Sequence, residues 1–375
     1  MPSDRRAIVV TYPYRHIIRE AISLAQSAGF ETLKIVTQKH LTKSKFGIGK
    51  GKAEELRDIT RQIYCDTIII DEALKTIQQY NLAALCGVEV IDREQMILNI
   101  FERRASTAES KIQTKLAQLH YDMIRAREKV RLAKAGEQPG FLGMGKYNAD
   151  VYYLDIKKRA GALKAKLLKE ESRKEIHRSQ RLKSGLRTIS VAGYTSAGKT
   201  TLFNTLTGEL KTVSPDLFTT LSTLTRAVIV EDDKVLFSDT VGFVSKLPHY
   251  MIDAFKSTLN ELVYSDLVLL VLDASEPVED MKRKLTTSTQ VLNELNVQMS
   301  KVILVINKTD LVSAADLATK IHFLGIDQSY ANTSSVSAKN RDNIMQLMAL
   351  IGELLFASGK GTDFLPKPYH HLVPS

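Results

Sequence analysis

The chain has 375 residues, 44% of them apolar and 25% charged, a composition that suits two or three globular domains and excludes a collagenous or largely disordered chain. No apolar run approaches the roughly 18–20 residues of a membrane span, and Asp4, Arg5, Arg6, Arg15 and Arg19 leave no signal-peptide core within residues 1–25. The formal charge is +10, and residues 101–187 carry the whole excess, with 22 Lys and Arg against 10 Asp and Glu.

Residues 1–100 alternate short β-branched runs with amphipathic stretches. The runs are Ala7–Thr11, Leu33–Thr37, Thr67–Asp71 and Val88–Asp92, and the stretches between them predict helices near 14–28, 52–63 and 73–86. Continuous apolar strands separated by helices indicate a parallel sheet covered on both faces, so a small four-stranded α/β domain is expected here. Cys65 and Cys86 are the only cysteines. Two thiols in apolar surroundings make neither a disulfide framework nor a zinc site, and they read as reduced packing residues of a cytoplasmic protein.

Residues 93–183 read as helical, with 101–185 forming a second unit. Ile112, Leu116, Leu119, Met123, Ala126, Val130 and Ala133 follow heptad spacing. A breaker cluster follows at Gly136, Pro139, Gly140, Gly143 and Gly145, and then a second apolar face at Ile156, Ala160, Leu163 and Leu167. Two seams joined by a glycine-rich loop predict an antiparallel helical hairpin. Its outer faces are basic, as at Lys157-Lys158-Arg159 and at Lys164, Lys166 and Lys169. Such a surface is either merely solvated or suits a polyanion, and the charge excess favours RNA or ribosome contact.

Residues 186–358 return to α/β character. Strands are expected at Arg187–Ala192, Ala227–Val230, Val235–Asp239, Leu267–Asp273 and Val302–Asn307, with Ser335-Val336-Ser337 as a short last one. The stretch 359–375 is rich in Pro, Gly and His, reads as a disordered tail and is set aside.

Gly193-Tyr194-Thr195-Ser196-Ala197-Gly198-Lys199-Thr200 fits G-x-x-x-x-G-K-[ST] between an expected strand and a helix beginning at Thr201. Backbone N–H groups of such a loop curl around phosphates at a helix N-terminus. Lys199 would neutralise the β- and γ-phosphates, and the Thr200 hydroxyl would ligate Mg²⁺. Asn307-Lys308-Thr309-Asp310 ends an apolar strand, where ligands bind in open α/β sheets. The Asp310 carboxylate can accept from guanine N1–H and the N2 amine. Adenine lacks that pair, and a buried unpaired carboxylate is costly. The Lys308 stem can lie over the base, and a backbone N–H of Ser337-Ala338-Lys339 can reach guanine O6. GTP is therefore expected rather than ATP.

Asp239-Thr240-Val241-Gly242 supplies an acidic residue for Mg²⁺ at Asp239 and, at Gly242, an N–H for the γ-phosphate that is released on hydrolysis. A threonine between the phosphate loop and this strand should close over Mg²⁺, and spacing admits Thr219, Thr220 or Thr223. Lys199, Gly242 and that threonine form the expected catalytic set. Phe243 stands where Ras-type GTPases orient the attacking water with Gln. A phenyl ring cannot hydrogen-bond water, so intrinsic turnover is expected within a decade or two of ~10⁻⁴ s⁻¹; the alternative is that Phe243 only packs and a polar group elsewhere positions the water.

These motifs, with several others, resemble the HflX family of ribosome-associated, translation-factor-related GTPases. The additional matches are Gly47-Ile48-Gly49-Lys50-Gly51-Lys52-Ala53-Glu54-Glu55-Leu56, Ile91-Asp92-Arg93 leading to Phe101-Glu102-Arg103-Arg104-Ala105, and Lys115-Leu116-Ala117-Gln118-Leu119. Phe218-Thr219-Thr220-Leu221 resembles the family's first switch, and Asp239-Thr240-Val241-Gly242-Phe243-Val244 its second. The resemblance spans about residues 1–356. It implies Thr220 as the switch threonine, and an apolar residue after Asp-x-x-Gly as typical. It also implies binding to the large ribosomal subunit through ribosomal RNA, with hydrolysis stimulated by the ribosome. Bacterial members carry Arg-Gly-Pro-Gly-Glu-Thr in the hairpin loop. Here Phe141-Leu142-Gly143-Met144-Gly145-Lys146 stands instead, which detaches ribosome splitting from the resemblance and would suit an archaeal member.

Gly47–Gly51 also precedes a helix and could hold an anion. Without a complete phosphate-loop motif it reads as an RNA-phosphate or structural loop in preference to a second nucleotide site. The function expected is a slow GTP-driven switch on the large subunit, free of any membrane, cytoplasmic and monomeric when unbound. The alternative is a non-ribosomal regulatory GTPase whose hairpin binds a protein. A separate catalytic centre is not expected, because His16, His40, His120, His177 and His249 lack motif partners.

Overall fold

The β-branched runs of the first hundred residues form strands of one parallel sheet. The computed structural model describes residues 5–41, 45–134, 146–209, 217–218 and 224–356. Its first body contains β1 (Arg5–Thr11), α1 (Arg15–Ser27), β2 (Phe30–Thr37), α2 (Lys50–Gln62), β3 (Thr67–Ile70), α3 (Thr76–Cys86), β4 (Glu89–Asp92) and α4 (Arg93–Arg104). The strand order is β2-β1-β3-β4, all parallel. Period-two alternation divides each strand between two cores. Ala7, Val9, Ile69 and Ile91 face α1 and α4, whereas Ile8, Val10, Ile68, Ile70 and Val90 face α2 and α3. Cys65 and Cys86 are buried free thiols in the second of these cores. Asp92 caps α4 by accepting from Gln95 N–H at 2.9 Å, which fixes where the helix starts.

The basic middle of the chain forms α5 (Ala108–Lys134) and α6 (Lys146–Lys183). Leu116, Leu119 and Ala126 meet Ile156 and Ala160 in one buried seam, with Met123, Leu163 and Leu167 packed against it. Ile112, the first of the heptad positions, is only half-buried. The glycine-rich turn and the side chains of Val130 and Ala133 lie outside the described residues. The seam is only part of what α5 buries. Gln113, Ala117 and Tyr121 are buried on another face, Ala117 and Tyr121 in the core that runs between the two sheets. Heptad spacing reports one stripe of a helix and is silent about a second.

The second sheet is built from β5 (Arg187–Gly193), α7 (Lys199–Thr207), β6 (Leu224–Val230), β7 (Asp233–Asp239), α8 (His249–Ala254), α9 (Lys256–Tyr264), β8 (Leu267–Asp273), α10 (Val278–Glu294), β9 (Val302–Asn307), α11 (Ala314–Leu324), α12 (Ile326–Ser329), β10 (Asn332–Ser335) and α13 (Ile344–Phe356). Its order is β10-β9-β8-β5-β7-β6, parallel except for β6. The last strand departs from expectation: it runs over Asn332–Ser335 and stops before Val336. Ser337 is drawn into a turn instead, exchanging backbone hydrogen bonds with Asp342 at 3.1–3.2 Å. Phe101 of α4 packs edge-on against Phe255 at 4.7 Å and Phe218 at 4.9 Å, so one ring joins the cores beneath the two sheets. Among the described residues, no helix is long and apolar enough to cross a membrane.

Candidate functional site

The carboxyl ends of β5, β7, β8 and β9 carry the expected motifs to one edge of the second sheet. At the end of β5 the backbone turns on Gly193, with φ +140°, and a Cβ there would lie 2.4 Å from Val271 O. At Gly198, with φ +93°, a Cβ would meet Asn307 Nδ2 at 2.3 Å. Both positions require glycine, for reasons of backbone sign and of space. α7 then starts at Lys199 with Thr200 and Thr201 in its first turn.

Lys199 is buried, and its Nζ donates to Tyr194 O at 2.7 Å. Burial pushes its ammonium down to about 8, the Asp239 carboxylate opposing that fall and Lys284 adding to it. The Thr200 hydroxyl donates to Asp239 Oδ2 at 3.1 Å. A hydroxyl and a carboxylate, both buried and adjacent, are the hard oxygen donors that suit Mg²⁺ when nucleotide phosphates complete its shell. Thr220, the third expected metal ligand, lies outside the described residues.

The Asp239–Gly242 segment lies against the phosphate loop. A Cβ on Gly242 would sit 2.9 Å from Lys199 Nζ. Phe243 bridges Tyr194 in parallel, its N–H donating to Gly193 O at 3.0 Å while Thr195 N–H donates to Phe243 O at 2.8 Å. The Phe243 ring is 2% exposed within the core. It is a packing residue, and water cannot be held by it.

On the base side, Asn307 links the loops. Its Nδ2 donates to Ala197 O at 3.0 Å and its Oδ1 accepts from Ala338 N–H at 3.0 Å. That bond engages the Ala338 N–H, and Lys339 follows it exposed to solvent. Lys308, at φ 63°, donates from Nζ to Ser196 O at 3.0 Å and to Asp273. Asp310 Oδ1 accepts from the Ser337 hydroxyl at 2.7 Å, which orients the carboxylate.

Sequence reading missed several partners. Asp273 had a signal, a carboxylate at the end of a wholly apolar strand. Glu20 had none, because its partners are remote in sequence, and Arg93 stood out only within the Ile91-Asp92-Arg93 match, with no hint of its partners. Glu20 accepts from the Tyr194 hydroxyl at 2.6 Å, from the Ser245 hydroxyl, from Arg93 and from Arg283. Ser245 N–H donates to Tyr194 Oη at 2.7 Å, and Arg93 also donates to Asp71 and to Ser245 O. Burial alone would raise the Glu20 carboxyl, but Arg93 and the two hydroxyls hold it down at about 2.

A strand–loop–helix with a buried lysine, beside a strand ending in Asn-Lys-Thr-Asp, defines a P-loop GTPase. Three family profiles match consecutive stretches: "GTP-binding GTPase N-terminal" over 15–102, "GTP-binding GTPase Middle Region" over 104–181 and "50S ribosome-binding GTPase" over 188–308. The chain is 37% identical to the GTPase HflX of Thermococcus kodakarensis, over 92% of this chain and 77% of that one. It is 40% identical to the GTPase HflX of Methanocaldococcus jannaschii, over 91% and 83%. A crystal structure of a GTP-binding protein from Sulfolobus solfataricus in complex with GDP covers 94% of this chain and 99% of its own, with TM-score 0.50 and 27% identity. The chain belongs to the HflX family of GTPases.

Proposed function

We propose that this GTPase is a slow switch that associates with the large ribosomal subunit and is stimulated by it, as a cytoplasmic monomer when unbound. The observation that carries this reading is how the basic hairpin sits. It packs directly on the two helices that follow Gly242. Gln113 Nε2 donates to the Thr258 hydroxyl at 3.0 Å, His120 stacks on Tyr250 at 6.4 Å, and Arg178 pairs with Glu261 at 3.2 Å. A load on the hairpin therefore reaches the segment that bears Gly242 through contacts already in place. The match to a "50S ribosome-binding GTPase" profile supports the same partner.

In this reading three units cooperate: 1–100, the hairpin at 101–185 and the GTPase unit at 186–358. Gly193–Thr201 cradles the phosphates, with Lys199 on the β- and γ-phosphates. Thr200, Thr220 and Asp239 hold Mg²⁺, which when bound neutralises phosphate charge. Gly242 N–H contacts the γ-phosphate. Asn307, Lys308 and Asp310, with Ser337, Ala338 and Lys339, select guanine.

Single-turnover GTP hydrolysis with and without large subunits tests the reading. A rise of about ten-fold or more supports it, alongside co-sedimentation at low salt. No co-sedimentation in any nucleotide state would sink it. Exposed Ile124, Val151, Tyr152 and Leu154 on the hairpin favour a second reading, a protein partner. Salt separates the two: phosphate contacts weaken about 10³–10⁵-fold between 50 and 200 mM salt when six to ten are made, and affinity constant over that range would favour the protein.

A further inference from the structure

Hydrolysis requires a group that orients water, and Phe243 is buried in the core and has no polar atom on its side chain. The same virtual Cβ on Gly242 that meets Lys199 Nζ also lies 2.9 Å from Thr195 Cγ2. The phosphate-binding lysine, the switch glycine and the Thr195 side chain thus converge on one small volume. Thr195 is 4% exposed and held from behind by its N–H bond to Phe243 O. Its hydroxyl makes no hydrogen bond to any described residue. The neighbouring hydroxyls are engaged: Thr200 on Asp239, Thr240 on Val191 O at 2.7 Å, and Tyr194 and Ser245 on Glu20. A threonine carries methyl and hydroxyl on one Cβ, so a χ1 step of about 120° exchanges the methyl that faces Gly242 for Oγ1.

We propose that Thr195 is a catalytic residue, its hydroxyl hydrogen-bonding the attacking water at the γ-phosphate. The inference rests on the phosphate-site assignment above. In the step, the water oxygen bonds to the γ-phosphorus. The bond from that phosphorus to the β–γ bridging oxygen breaks, its electron pair leaving with GDP. One water proton stays on the phosphate product and the other passes to solvent. Thr195 neither gains nor loses a proton; its oxygen accepts a hydrogen bond from the water and restricts where it sits.

The test compares Thr195→Val, which keeps the shape and removes the hydroxyl, with Thr195→Ser, which keeps the hydroxyl and removes the methyl. Fluorescent GTP analogue binding and single-turnover hydrolysis are measured on the full chain. The valine variant is expected to hydrolyse about ten-fold or more slowly with GTP affinity within about three-fold, and the serine variant to recover most of the rate. Hydrolysis by the valine variant at the parent rate overturns the proposal. So does equal impairment of both variants, which would mean packing, or a loss confined to affinity. Lys199→Ala serves as the control: if it binds GTP as tightly as the parent chain, the site assignment has failed and not the role of the hydroxyl.

Discussion

The chain contains two glycine-rich loops, each ahead of a helix on an open parallel sheet, and they are built to different ends. In the loop at Gly193–Thr200, both framing glycines are demanded by backbone atoms or a buried amide, and the first helical residue is a buried lysine lowered by desolvation. In the loop at Gly47–Gly51, only Gly47 is so demanded, with φ +76° and a Cβ position 2.3 Å from Leu74 Cδ2. A Cβ on Gly51 would meet nothing within 4 Å. The lysines there lie along the helix surface, Lys52 paired with Glu55 at 2.6 Å and Lys50 with Glu54 at 3.9 Å. The two loops therefore differ in how their glycines are held and in where their lysines lie. The distinguishing marks are glycines fixed by neighbours on the facing strands and a cation aimed inward.

Substitutions sharpen that contrast. The largest expected effect is Asp310→Asn, which exchanges the carboxylate for an amide and should move preference from GTP toward xanthosine triphosphate by about four orders of magnitude in competition binding. Lys199→Ala should lower single-turnover hydrolysis by about 10²–10³-fold, whereas Lys50→Ala and Lys52→Ala should leave GTP binding unaltered. Gly193→Ala should destabilise the fold by about 2–4 kcal/mol in denaturant titration, because its Cβ meets a strand carbonyl. Affinity should also depend on pH. Lys199 loses its charge as pH rises through about 8, and phosphate needs the charged form, so GDP binding should be flat at lower pH and weaken above that value. The fall should be up to about ten-fold per pH unit, followed by calorimetry in the full chain. The smallest effect is Gly51→Ala, an open helical position, which should raise stability by about 0.5–1 kcal/mol.

Much of this was legible in sequence because the signals were local. Ile68, Ile69 and Ile70 in one run announce a strand buried on both faces, and the phosphate loop announces its own strand–turn–helix setting. The last strand was misplaced because Ser335-Val336-Ser337 has the right residue types, while the side chain of Ser337 is claimed by Asp310. The second buried face of α5 was invisible because Gln113 and Thr114 look like surface residues until Gln113 is seen to find Thr258. The contacts of Glu20 were beyond reach for a plainer reason: Tyr194 stands 174 residues away and Ser245 225.

That carboxylate has an evolutionary consequence. Glu20, largely buried, serves Arg93, Tyr194, Ser245 and Arg283 at once. Tyr194→Phe removes a donor and strands the Ser245 N–H, while Glu20→Gln leaves Arg93 paired with Asp71 alone and takes a carboxylate away from Arg283. Each change alters the cost of the next, so substitutions at these positions are expected to be coupled. Double-mutant cycles between Glu20 and Tyr194 should show non-additivity of about 0.5–3 kcal/mol. The lineage of such a protein would carry the five residues as one inherited character rather than as five.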